Sequence, residues 1–147
     1  MKNQILIQET NFDSARKKIR ENKDKLIIFS GNDELNRKIL EKEKIDILLL
    51  NQSQRKDKQK QRDSGFNQVL AKLAKKSDIT IGINLDEIIN AKFKEKAEII
   101  ARIKQNVSLC KKNKLKMKFI TQNEKDTYDL RALGLVLGMP TTITKNL

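Results

Sequence analysis

The sequence predicts a parallel α/β domain, built as an abridged or open barrel or as a small open sheet, and three observations carry that prediction. Two short apolar runs, KLIIFS at 25–30 and IDILLL at 45–50, have the composition of strands buried on both faces. Strand-like and amphipathic helical stretches then alternate five times with short connections, the signature of βα units. The chain has 147 residues, a single domain (1–147) with room for a hydrophobic core, but short of the ~200 residues that a complete eight-unit barrel needs.

Residues 5–8 read as a short first strand. The helix over 11–22 follows from Phe12, Ala15 and Ile19 at i, i+3, i+7. After the second strand, Gly31, Asn32 and Asp33 turn the chain and cap a helix to about Lys42 that points Leu35, Ile39 and Leu40 inward. The third strand, 45–50, runs into a polar loop that turns at Ser64-Gly65 and enters a helix. Phe66, Val69, Leu70 and Leu73 have the spacing of that helix's inward face. In the fourth strand, 78–84, Ile79, Ile81 and Ile83 alternate with Thr80, Gly82 and Asn84. Gly82 on such a strand reads as relief of packing. A short helical segment over 85–90 precedes a long helix over 93–112, striped by Ala97, Ile100, Ile103, Val107 and Cys110. The fifth strand is 116–121, and a helix over 127–137 ends at Gly138 with Pro140 beyond. The tail through 142–144 is expected to add a last short strand.

The composition narrows the function. The formal charge is +13 and the pI about 9.9, with 35% charged residues and 4% aromatic. Such a surface suits an acidic partner, nucleic acid above all, although a generally lysine-rich composition gives the same numbers. The absence of histidine excludes histidine acid–base chemistry and histidine metal ligation, and a single cysteine excludes zinc clusters. An all-carboxylate magnesium site stays open. One cysteine, no signal-peptide pattern at Met1 and no long apolar run lead us to expect a cytoplasmic protein without a membrane span.

The stretch 51–76 holds the charge. Arg55, Lys56, Lys58, Lys60, Arg62, Lys72, Lys75 and Lys76 stand against Asp57 and Asp63. A cationic loop leaving the carboxyl end of a buried strand occupies the place where parallel α/β folds bind ligands. We expect Arg55, Lys56, Lys58, Lys60, Arg62, Asn67 and Lys72 to contact RNA; the bland alternative is a solvated linker. With about six phosphate contacts, affinity would fall ~1000-fold or more between 50 and 200 mM salt. Asp63, Ser64 and Gly65 read as structural: Ser64 as a helix cap, Asp63 as an anion near the helix start, Gly65 for backbone freedom. The other strand ends offer Ser30, Asn32, Asn51, Asn84 and Gln122, all neutral. Lys111 to Lys118 form a second basic cluster, equally well explained as cations at a helix carboxyl end. Phe12, Phe29, Phe66, Phe93 and Phe119 are expected in the core, and Tyr128 beside a helix start is ambiguous.

Several stretches also carry a resemblance. Arg62-Asp63-Ser64-Gly65-Phe66-Asn67-Gln68-Val69-Leu70-Ala71, Asp33-Glu34-Leu35-Asn36-Arg37 followed by Ile45-Asp46-Ile47-Leu48-Leu49, the strand from Ile79 to Leu85, and Asp129-Leu130 with Leu137-Gly138-Met139 occur in this order. Together they resemble the ribonuclease P protein component 3 family. The resemblance spans about Asp33 to Met139, and the terminal portions are shorter than the family's. It implies an abridged TIM-barrel-like fold of the polymerase-and-histidinol-phosphatase (PHP) type, of about five to six βα units and without a working metal site. It implies a non-catalytic subunit of a ribonucleoprotein whose RNA removes the 5′ leader of precursor tRNA. Its partners would be ribonuclease P RNA, precursor tRNA and ribonuclease P protein component 2, with no cofactor. Two other readings compete: a metal-dependent phosphoesterase or nuclease on the same barrel type, and a module that binds a protein partner and uses its charge only for solubility. The first wants acidic and histidine ligands at strand ends, where this chain has neutral amides and a hydroxyl.

Overall fold

A computed structural model describes residues 3–147. The elements run β1 (Gln4–Gln8), α1 (Phe12–Glu21), β2 (Leu26–Ser30), α2 (Asp33–Lys42), β3 (Ile47–Leu50), α3 (Gln68–Lys76), β4 (Thr80–Asn84), α4 (Leu85–Asn90), α5 (Phe93–Lys112), β5 (Met117–Ile120), α6 (Thr127–Val136) and α7 (Thr141–Thr144). All neighbouring strands are parallel and their order is β1-β2-β3-β4-β5. Strands that neighbour in chain order, each followed by helix, are the arrangement of a barrel wall; here the sheet stays open, with β1 and β5 as its edges. The fold is therefore an abridged TIM-barrel-like α/β structure of five βα units.

Register explains why the runs are so apolar. Ile7, Phe29, Leu48, Ile81 and Met117 lie side by side across the five strands and are at most 2% exposed. This row and its neighbours pack against the helices in the main core. The opposite face carries a smaller cluster of Ile28, Ile47 and Leu49, flanked by Leu26 and Ile120. A β-carbon on Gly82 would stand 3.0 Å from Ile47 and 3.2 Å from Ile120, so glycine here lets that second face close up, as the packing reading expects.

Asparagine and aspartate start the helices. Asn11, Asn32, Asn67, Asn84 and Asp126 each accept first-turn amides of the helix that follows. Asn67, rather than Ser64, caps α3, so the helix opens at Gln68, later than the 64–65 turn suggests. Its inward face is then Leu70, Ala71 and Ala74. Val69 is 52% exposed, contrary to the expected face, and Phe66 is buried as a loop residue.

The stripe of α5 holds at Ile103, Val107 and Cys110, while at its start Ile99 is buried in place of Ile100 and Ala97 is exposed; Arg102 and Asn106 are buried beside it. Burial pushes the Cys110 thiol up to about 12, which keeps it protonated and unreactive at neutral pH. The tail forms the helix α7, not a strand: Pro140 accepts the amides of Ile143 and Thr144, and the turn buries Ile143. Phe93, expected in the core, is 91% exposed. Among the described residues no helix is long and apolar enough to cross a membrane.

Candidate nucleic-acid interface

The basic loop is not a floppy linker; it is fastened to the domain from beneath. Arg102, on α5, is only 2% exposed. Its guanidinium donates to the carbonyl oxygens of Gln52 at 3.3 Å and Arg55 at 2.9 Å, and to Asp57 Oδ1 at 3.0 Å. A buried cation is tolerated only when its donors are matched, and here the matching acceptors come from the loop. Gln52 reinforces the anchor. Its backbone amide donates to Glu87 Oε2 at 2.7 Å, and its side-chain amide donates to the Ser64 carbonyl at 2.9 Å, joining the two ends of the loop.

Asp57 and Arg55 complete the frame. Asp57 Oδ1 also accepts the Asp63 amide at 2.9 Å. That backbone hydrogen bond, then the Arg102 guanidinium, holds the Asp57 carboxyl below the usual aspartate range. A carboxylate with a depressed pKa stabilises the folded state above the unfolded value, and this contribution is lost as pH falls through the folded value. The side-chain carboxyl carbon resonance of Asp57 is therefore expected to titrate only below the ordinary aspartate pKa of ~3.9, and Arg102→Ala should move that titration back towards it.

Arg55 donates two hydrogen bonds to the Asp33 carboxylate, at 3.1 and 2.7 Å, and others to the Asp63 carbonyl at 3.0 Å and carboxylate at 3.3 Å. Burial pulls its pKa down, but the hydrogen bonds and charge of Asp33, then of Asp63, outweigh this and raise it.

The expected structural residues hold other posts than a simple cap. Ser64 is 1% exposed, and its hydroxyl donates to Asn106 Oδ1 on α5 at 2.6 Å. Asp63 Oδ1 accepts the Gly65 amide at 3.1 Å. Gly65 has φ +76, and a β-carbon there would lie 2.7 Å from Asp33 Oδ1 and 2.8 Å from Arg55 Nη2. Gly65→Ala is therefore expected to destabilise by about 2 kcal/mol, combining left-handed strain with displacement of the ion pair. In thermal unfolding this appears as a Tm lower by ~4–8 °C. Gly65→Asn, whose side chain tolerates this backbone region, should lose less.

On this frame Lys56, Lys58, Lys60 and Arg62 are exposed, and none of them makes an ion pair among the described residues. The tip is a tight turn in which the Gln61 amide donates to the Lys58 carbonyl at 3.0 Å, with Lys60 at φ +61. Lys58 and Arg62, with Arg37 of α2, border a groove of about 520 Å³ shared with Asp33 and Glu34.

Arg55 is engaged by Asp33 and Asp63, and Asn67 Oδ1 accepts the Leu70 amide at 3.0 Å. Asn67 borders the same groove as Lys58 and Arg62. Lys72 is exposed on the middle of α3, and Lys75 Nζ at its far end donates to the Lys114 carbonyl. Lys111 to Lys118 thus gather at the opposite end of the sheet from the loop. Sequence reading missed Arg102 and Arg37.

The strand ends are knitted to one another. Asn51 Nδ2 donates to Ser30 Oγ, and Asn84 Nδ2 to Asn51 Oδ1, both at 2.9 Å. Asn32 caps α2 through the Leu35 amide at 2.8 Å, and Asp86 receives the Thr121 hydroxyl at 2.6 Å and the Gln122 amide at 3.1 Å. Among the described residues no group of three or more His, Cys, Asp or Glu is gathered as a metal site.

Comparison with known proteins gives a consistent answer. The sequence model of the family described as RNase P subunit p30 matches residues 4–146. Ribonuclease P protein component 3 of Methanococcus maripaludis (strain C7) is 26% identical over 136 residues, covering 92% of this chain and 56% of the relative. The component 3 of Methanosarcina mazei is 30% identical over 115 residues, 78% of this chain and 45% of the relative. A chain in the cryo-EM structure of archaeal ribonuclease P with mature tRNA superposes with a TM-score of 0.81 at 26% identity, over 98% of this chain and 64% of that one. The chain spans about half the length of the curated relatives it matches.

Proposed function

Because this chain belongs to the RNase P subunit p30 family, we propose that it is a non-catalytic RNA-binding subunit of ribonuclease P, supporting RNA-catalysed removal of the 5′ leader from precursor tRNA. Its residues 1–147 act as one domain in the cytoplasm. Its partners are ribonuclease P RNA, precursor tRNA and ribonuclease P protein component 2. The solved relative lies in an assembly with mature tRNA, which supports the RNA partners; component 2 enters through the family resemblance.

The observation that carries this reading is the anchored loop. Lys56, Lys58, Lys60 and Arg62 project from a frame that Arg102, Gln52 and Asp57 hold to α5 and to Glu87 of α4. A fixed scaffold lowers the ordering penalty when cations meet phosphates. The same loop leaves the sheet's carboxyl edge, where the side chains bond one another. The role is therefore positioning by charge, while bond breaking belongs to the RNA. Reconstitution tests it: ribonuclease P RNA and component 2 should process precursor tRNA faster at limiting magnesium when this chain is added. The chain alone should leave the substrate intact, and an unchanged rate on addition would refute the assignment.

A further inference from the structure

Only six aromatic residues occur in the chain, five phenylalanines and one tyrosine, and the fold treats them unequally. Phe29 and Phe66 are buried, and Phe12 and Phe119 pack against the core. Phe93 and Tyr128 stand 91% and 78% exposed. Leaving an aromatic ring in water forgoes one of the larger contributions a side chain makes to a small core.

Both exposed rings occupy corresponding places. Phe93 begins α5, which follows β4 and the short helix α4, and Tyr128 lies in the first turn of α6, which follows β5; Glu95 of α5 lines a groove with Asn84 and Gln122 at the ends of those strands. The strands are parallel, so both helix starts share the sheet edge from which the basic loop departs after β3. The φ of Phe93, +51, lies in the left-handed region, which a bulky residue seldom adopts. Its neighbours in sequence are Lys92 and Lys94, both exposed, whereas Tyr128 stands between Lys125 and Asp126 on one side and Asp129 on the other.

We infer that Phe93 and Tyr128 form a stacking site for unpaired RNA bases on the same rim as the phosphate-contacting loop. An apolar groove on a protein partner would ask for a contiguous apolar patch, whereas Phe93 is framed by lysines. An aromatic face bordered by cations fits a nucleotide, with the base on the ring and the phosphate on the ammonium groups. Such contacts are tolerant of sequence because every base has a π face, and they require single-stranded segments because paired bases are already stacked. The inference rests on the RNA-binding reading above and adds to it a class of ligand, unpaired nucleotides, that phosphate contacts alone cannot select.

Tyr128 makes the test direct. It is the sole tyrosine and there is no tryptophan, so intrinsic emission reports on this position alone. The full chain is titrated with a short oligouridylate and with a short RNA duplex at elevated salt, where phosphate contacts are weakened. The oligouridylate should quench tyrosine emission and the duplex should not. Measured by filter binding, Phe93→Ala and Tyr128→Ala should each weaken oligouridylate binding about 10-fold while leaving the salt slope in place, and Phe93→Trp should restore it. Both rings are exposed, so the variants should fold, which circular dichroism checks. If wild type binds both RNAs with a steep salt dependence and the alanine variants stay within about 2-fold of it, the stacking site is refuted and the phosphate reading survives. Absence of RNA binding at any salt removes both. Loss of binding to a protein subunit in Phe93→Ala, with RNA affinity unmoved, also overturns the assignment.

Discussion

Replacing Lys56, Lys58, Lys60 and Arg62 together by alanine is expected to weaken RNA binding at about 50 mM salt by at least ~50- to 150-fold, without unfolding the domain. The range follows from counterion release. Four phosphate contacts give a slope near −0.7 to −0.9 per contact in log affinity against log salt, so wild type should gain that factor between about 200 and 50 mM. The variant lacks the gain. This is a smaller effect than a count of cations along the sequence implies, because Arg55 is held by Asp33 and Asp63 and Lys75 lies at the other end of α3. Stability should hardly move, since all four side chains are exposed and surface changes usually stay within about 0.5 kcal/mol each. Filter binding over a salt series, with thermal unfolding as the control, reads both quantities.

Arg102→Ala should reverse that pattern, with a large loss of stability and a smaller loss of binding. Truncation removes three donors from the Gln52 and Arg55 carbonyls and Asp57. Leaving buried carbonyl groups without their donor costs about 2 kcal/mol, which for a domain of this size lowers Tm by ~4–8 °C. The loop's cations survive the substitution but lose their fixed frame, so RNA affinity should fall about 5-fold, the equivalent of ~1 kcal/mol of ordering. Arg102→Lys keeps the charge but cannot reach three acceptors at once, and should recover only part of the stability. A double-mutant cycle with Asp57→Ala isolates the ionic pair, and additivity there would mean that Arg102 acts through the Gln52 and Arg55 carbonyls and through packing, not through Asp57.

Much of the fold is legible in the sequence because each level agrees with the next. KLIIFS and IDILLL must be strands buried on both faces, and register turns their alternate residues into the two clusters about Phe29 and Ile28. Asn11 and Asn32 mark helix starts that the structure places at the same positions. The loop resists such reading because its order comes from tertiary contacts. Arg102 breaks the apolar run of α5 and Asp57 is one of two acids among cations, but pairing them requires knowing that the loop folds back over that helix. Ser64 looks like a cap by type, yet Asn67 takes the post and Ser64 is drawn to Asn106. Val69 and Phe93 mislead for a related reason. Periodicity says that a face exists, while helix start and phase decide which residues occupy it.

The central claim is that this chain lends fixed cations to an RNA that does the cutting. Its most direct test is precursor tRNA cleavage by the assembly reconstituted with wild type or with the Lys56, Lys58, Lys60 and Arg62 alanine variant, followed across a salt series. The two assemblies should differ most at low salt and converge as salt rises. Superimposable curves at every salt concentration would contradict the account.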